Sequence, residues 1–158
     1  MNAVAAAGAG FLVAVLWFDL MFDVQVRGHR GEAIPADVLA SISAYYRRVT
    51  TEARPMTQLV AAMMLVTLGA IVAEIVRGQD RAWIGWLSLT LTVSAVGLAM
   101  ARTVRNAVRL GQAGDPLDTQ SRLARMIYRD HLYCLTAMTS VLALQLSNSI
   151  LNQRPPAP

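Results

Sequence analysis

Hydrophobic positions in this chain gather into four long runs, set apart by polar connections. The first is uninterrupted over residues 3–18 and continues past Asp19 and Asp23 to residue 26; the others cover about 55–76, 82–103 and 130–151. An α-helix rises 1.5 Å per residue and needs about 20 mostly apolar residues to cross a bilayer. Each run meets that length. The pattern therefore predicts an all-α integral membrane protein, a four-transmembrane-helix bundle with a short amphipathic helix between spans 1 and 2. The runs take up most of the 158 residues, so one domain over 1–158 is expected, with no soluble domain.

The connections add detail. Ala6, Gly10 and Ala14 recur every four residues in span 1 and form a small-residue stripe suited to close helix packing. Between spans 1 and 2, Asp37 is placed to cap a short helix with Val38, Ile42, Tyr45 and Val49 on one face. That helix is expected at the membrane interface or leaning on the bundle. Pro55 suits a first helical turn, and Arg77 with Gly78 closes span 2. Gln79, Asp80 and Arg81 make a tight connection to Trp83 and Trp86, which sit where an aromatic belt belongs. Helix continues past span 3 through Arg102, Arg105 and Arg109, and a turn follows from Gly111 to Asp118, containing Gly114, Asp115 and Pro116. A new helix begins near Thr119 with Arg122, Arg125 and Arg129 on one face, while the proline-rich tail over 152–158 is expected to fray.

Composition sharpens this picture. Charged residues make up 15% of the chain against about 25% in a soluble domain, and 55% are hydrophobic. All 14 basic residues are arginine. They lie in the connections, where they read as topology signals and headgroup contacts, and no basic soluble fold remains for nucleic acid. The first connection holds Arg27, Arg30, Arg47, Arg48 and Arg54, and the third holds Arg102, Arg105, Arg109, Arg122, Arg125 and Arg129. The second has only Arg77 and Arg81, and the tail only Arg154. This excess places the first and third connections inside and both termini outside, in a multi-pass protein of the inner cell membrane. The lone Cys134 excludes a disulfide within the chain, and with His29 isolated in a loop no metal or other cofactor is expected. The N-terminal run lacks the positive start of a cleaved signal peptide and reads as a retained helix.

That orientation brings the polar residues of four helix ends into one inner layer: Asp19 and Asp23, Arg102, Arg105 and Asn106, Asp130, His131 and Tyr133, with Tyr45 and Tyr46 from the amphipathic helix. Asp19 lies about 12 Å of helical rise from Arg27, inside the inner leaflet. A carboxylate there costs about 2.5–3.5 kcal/mol, so it should face the bundle and pair with Arg102, Arg105 or His131. Asp19 and His131 are the candidate catalytic acid–base groups; Arg105, Asn106, Tyr45 and Arg102 are the candidate binding groups for an anionic or phenolate substrate. The plain alternatives are a structural ion pair at Asp19, an interfacial cap at His131, and headgroup contacts for the arginines. Asp23 reads as an i,i+4 partner of Arg27, and Glu74 as a local partner of Arg77. The eight methionines read as core filler.

The layout resembles the anthrone oxygenase-like family of small four-helix membrane proteins. The features that carry it are Tyr45, Tyr46, Arg47 and Arg48 ahead of Arg54 and Pro55, and the segment RTVRNAVRLGQAGDPLDTQSRLARMIYRDHLYCL over 102–135. The resemblance implies oxygenation of polyphenolic anthrones without a dedicated metal, and carries Asn106 and His131 over as polar site residues.

Two readings stand open. One is an oxidoreductase or oxygenase acting on an apolar aromatic molecule that enters from the inner leaflet; Asp19 or His131 would take a phenolic proton, and Arg105 with Asn106 would hold the anion. The other is a non-enzymatic bundle, working as an accessory subunit, scaffold or small transporter component, with a homo-oligomer or a membrane complex as its partner. An enzyme needs a cavity bordered by Asp19 and His131. A scaffold closes those residues into ion pairs.

Overall fold

The computed structural model describes residues 2–29, 33–52, 54–78 and 81–152. The tight connection at Gln79 and Asp80, the tail beyond residue 152, and Arg30 and Arg154 lie outside the described residues. All regular structure among the described residues is helical. Helix α1 spans Asn2–Asp23 and tightens into a 3₁₀ turn at Val24–Gly28; α2 spans Ala36–Arg47 and widens into a π turn at Arg48–Glu52. Helices α3 (Arg54–Val76) and α4 (Ala82–Leu98) follow, then a second π turn, Ala99–Thr103, α5 (Val104–Gly111) and α6 (Leu117–Asn152).

Four helical stretches are long and apolar enough to cross a membrane: Asn2–Gly28, Pro55–Val76, Ala82–Gly111 and Leu117–Leu151. They pack as a ring in which α1 touches α3 and α6, and α4 touches the same two. Small and flexible side chains fill its centre: Ala5, Ala9 and Leu12 from α1, Ala70 and Ile71 from α3, Ala95 from α4, and Cys134, Ala137, Met138 and Val141 from α6. Alanines at these positions let the helix axes approach closely. The tight glycine contact of α1, however, is not on the Ala6, Gly10, Ala14 stripe. It is at Gly8, where a Cβ would collide with Thr67 Oγ1 and lie 3.2 Å from Thr67 Cβ, whereas Gly10 has only Leu142 at 4.0 Å and Ala14 is exposed. Likewise only some methionines fill the core. Met138 is buried, while Met21, Met56, Met100 and Met126 are exposed.

Helix α6 has 36 residues, a rise of about 54 Å that exceeds a hydrocarbon thickness of about 30 Å. Its N-terminal part projects beyond the ring and meets α2 and α5 there. This assembly has a core of its own: Val26, Ile34, Leu39, Ile42 and Tyr46 pack on Ala107, Leu110, Leu123, Ala124 and Ile127. Helix α2 thus caps one end of the bundle, stacked on helices rather than lying free. Its N-cap is Pro35, with Asp37 in the first turn and not at the cap. The approach to α2 is tied down by Ile34 N–H donating to Ser121 Oγ at 3.2 Å and by Arg125 Nη2 donating to the His29 carbonyl at 2.9 Å.

Candidate functional site

The seam between the two cores is polar. Asp19 and Asp23, one turn apart on α1, meet Tyr45 and Tyr46 of α2 and His131 of α6. Tyr45 Oη donates to Asp19 Oδ1 at 2.6 Å, and Tyr46 Oη donates to Asp23 Oδ1 at 2.5 Å. His131 Nδ1 lies 2.7 Å from Asp23 Oδ2, and its Nε2 lies 3.9 Å from Asp19 Oδ2. The Nδ1–Oδ2 contact is a hydrogen bond whose direction follows the imidazole tautomer. Asp23 has no exposed surface and His131 is 7% exposed. Phe22 stacks on Tyr45 with ring centroids 4.0 Å apart.

Burial, the charge of Asp19 and the Tyr45–Asp19 hydrogen bond push the Tyr45 phenol well above its ordinary range. Burial, the charges of Asp23 and Asp19, and the Asp23 hydrogen bond do the same to Tyr46. Both phenols therefore stay neutral donors at ordinary pH, and each holds one carboxylate. The arrangement is two hydrogen-bonded groups, Tyr45–Asp19 and Tyr46–Asp23–His131, set side by side with His131 Nε2 within ion-pairing reach of Asp19.

A second polar group adjoins it on α6. Asp130 is buried and takes Arg102 through Nε at 3.0 Å and through Nη2, while Thr103 Oγ1 donates to it at 3.1 Å. The π turn at Ala99–Thr103 presents Arg102 and Thr103 together; such wider turns occur often at functional sites. Between α4 and α6 an open groove of about 420 Å³ runs along Ser94, Leu98, Arg102, Arg129, Asp130 and Tyr133. Tyr133 Oη donates to Ser94 Oγ across it at 2.8 Å.

The candidate residues thus separate. Asp19, Tyr45 and His131 come together as the sequence suggests, with His131 the partner that Asp19 finds. Arg102 belongs to Asp130 instead. Arg105 is exposed, and Asn106 is half-buried with an Nδ2 that makes no hydrogen bond among the described residues. Asp23 is not the surface partner of Arg27, which is exposed, but the most enclosed acid of the cluster. Glu74 turns inward to Gln145 and away from the exposed Arg77. Sequence reasoning placed Asp23, Asp130 and Tyr46 in the polar layer without a site role, taking Asp23 for a partner of Arg27, and it missed Thr103. For Asp23, the face it shares with Asp19 was the available signal. Among the described residues no three His, Cys, Asp or Glu side chains group as metal ligands.

Comparison with known protein families, with curated proteins and with solved structures finds no match to this chain.

Proposed function

We propose that the chain is a multi-pass inner-membrane protein that serves as a non-enzymatic bundle component, an accessory or scaffold subunit. The observation that carries this reading is the pairing across the polar seam: Asp19 takes Tyr45, and Asp23 takes Tyr46 and His131, which joins α1, α2 and α6. A paired polar network fixes helix rotation and specifies one packing, which is what a scaffold requires. The ring's outer surface supports the membrane setting, since Trp17, Leu65, Val76, Trp83 and Ile150 are all exposed. The arginine excess around α2 and α5 supports an orientation with that end inside and both termini outside. In that setting the groove with Arg102 and Arg129 fits lipid headgroup phosphates, and the exposed Ala14 leaves part of the small-residue stripe free for a partner helix or a second copy.

The oxygenase reading has one observation in its favour. The Asp19 side chain keeps 18% of its surface exposed beside the Phe22–Tyr45 stack, so a flat aromatic molecule at that flank would meet a carboxylate linked to His131. Asp19→Asn separates the two readings. As a structural group, its loss lowers thermal stability, and the parent protein takes up no oxygen when given an anthrone. Anthrone-dependent oxygen uptake by the parent, abolished in Asp19→Asn at unchanged stability, would replace the scaffold with the oxygenase.

A further inference from the structure

A second buried polar layer lies toward the other end of the bundle. Glu74 of α3 is 2% exposed, and Ser88 of α4 and Gln145 of α6 have no exposed surface. Gln145 follows His131 by 14 residues, a rise of about 21 Å, so this layer is separate from the histidine cluster. The Gln145 amide hydrogen-bonds Glu74, and its Nε2 reaches Ser88 Oγ at 3.2 Å. An amide nitrogen carries two hydrogens, enough to serve both contacts. Two acceptor oxygens are left, Glu74 Oε1 and Gln145 Oε1, each buried and without a hydrogen-bond partner among the described residues.

Acceptors do not satisfy one another. A buried oxygen without a donor costs about 1–3 kcal/mol, more where it carries charge. Something positive between α3 and α6 removes that cost. We propose that Glu74, Gln145 and Ser88 form a site for a small monovalent cation, a proton or a sodium ion, taken up between α3, α4 and α6. A proton on Glu74 Oε1 turns that acceptor into a donor within the layer. A sodium ion acts instead by coordination to the layer's oxygens. Arg77, in the turn just past α3, is exposed, and Asn148, one turn beyond Gln145, adds a buried amide to the layer. The site stands whichever reading of the histidine cluster holds.

The test uses the full chain in liposomes and a hydrophobic carbodiimide, which modifies protonated carboxyls inside a membrane, with Glu74 followed by mass spectrometry. Labelling of Glu74 is expected, declining about tenfold per pH unit past its midpoint. Protection by sodium at fixed pH assigns the site to sodium; a decline with pH alone assigns it to the proton. Glu74→Gln supplies its own hydrogens, so it should fold, resist labelling and lose the protonated-carboxyl band that the parent shows in its pH-difference infrared spectrum. If Glu74 is unlabelled, or labelled independently of pH and sodium, and the infrared spectra of parent and Glu74→Gln coincide, the site binds no cation and the proposal falls.

Discussion

Asp23 and His131, 108 positions apart in sequence, meet through Oδ2 and Nδ1 at 2.7 Å in a pocket where the carboxylate has no exposed surface. The other oxygen of Asp23 takes the Tyr46 hydroxyl, so one carboxylate joins three helices. Asp19 repeats the arrangement one turn earlier in a looser form, with Tyr45 close and His131 at 3.9 Å. The fully enclosed acid is thus held by two close contacts, and the partly exposed acid by one.

Asp23→Asn should destabilise the protein by about 3 kcal/mol, the low end for breaking a buried pair, because the amide still accepts from Tyr46. Asp19→Asn should cost about 1 kcal/mol, since it loses a single partly exposed hydrogen-bond network. Thermal unfolding in detergent compares the two. Equal losses would mean that burial does not rank the two acids.

The neutral phenols give the protein an alkaline limit. Free tyrosine ionises near pH 10. Tyr45 and Tyr46 are held well above that value when folded, so the folded state keeps protons that the unfolded chain releases. Their contribution is complete below about pH 10 and is lost as pH rises beyond it. Stability measured from pH 8 to pH 12 should fall steeply above about pH 10, and less steeply in Tyr46→Phe. A Tyr46→Phe profile parallel to the parent's would show that this phenol is not held neutral.

Gly8 of α1 packs directly against Thr67 of α3. A Cβ there would collide with Thr67 Oγ1, whose hydroxyl is already committed to the Met63 carbonyl at 2.7 Å. Gly8→Ala should therefore cost about 2 kcal/mol by forcing the helices apart. Gly69→Ala has nothing within 4 Å and should be neutral or stabilising by about 0.5–1 kcal/mol, because alanine orders a helix at lower entropic cost. Thr67→Ala should recover part of the loss in a double-variant cycle.

The four long helices were legible because an uncharged stretch such as residues 3–18 has few stable alternatives to a helix. Which face of such a helix packs inward was not. In an alanine-rich segment several small-residue stripes look alike, and the choice of Gly8 over Gly10 is made by Thr67 on another helix. The same limit hid Asp23. Its local spacing to Arg27 suggested an i,i+4 pair, while its real partners come from α2 and α6. The cap was half visible: the apolar face of α2 showed in its spacing, but its docking on α5 depends on Gly111, which the sequence marks only as the start of a turn.

Orientation is open to direct measurement. The arginine excess predicts opposite signals from reporters fused at Gly111 and after Pro158, with Gly111 inside. Equal signals at the two positions would overturn that orientation and with it the inner-leaflet setting of the groove at Arg102 and Arg129.

Gly111 holds the cap in place, and its replacement tests the link between fold and site. A Cβ built there would lie 2.7 Å from the Arg47 backbone nitrogen, 3.0 Å from Arg47 Cα and 3.1 Å from the Tyr46 carbonyl carbon. All three obstacles are backbone, so no side-chain rotation relieves the clash, and α2 must move away from α5. Tyr45 and Tyr46 sit on that helix and would be drawn off Asp19 and Asp23. Gly111→Ala should cost about 3 kcal/mol, the upper range for overpacking, and should make Tyr46, which is 2% exposed in the parent, reactive toward a tyrosine-nitrating reagent. Gly114→Ala, with nothing within 4 Å, controls for loss of backbone freedom in the nearby turn. If Gly111→Ala unfolds like the parent and Tyr46 stays protected, α2 is not fastened through α5. If stability falls while Tyr46 stays protected, the cap yields elsewhere, and the acid–phenol contacts rather than Gly111 are what fix α2.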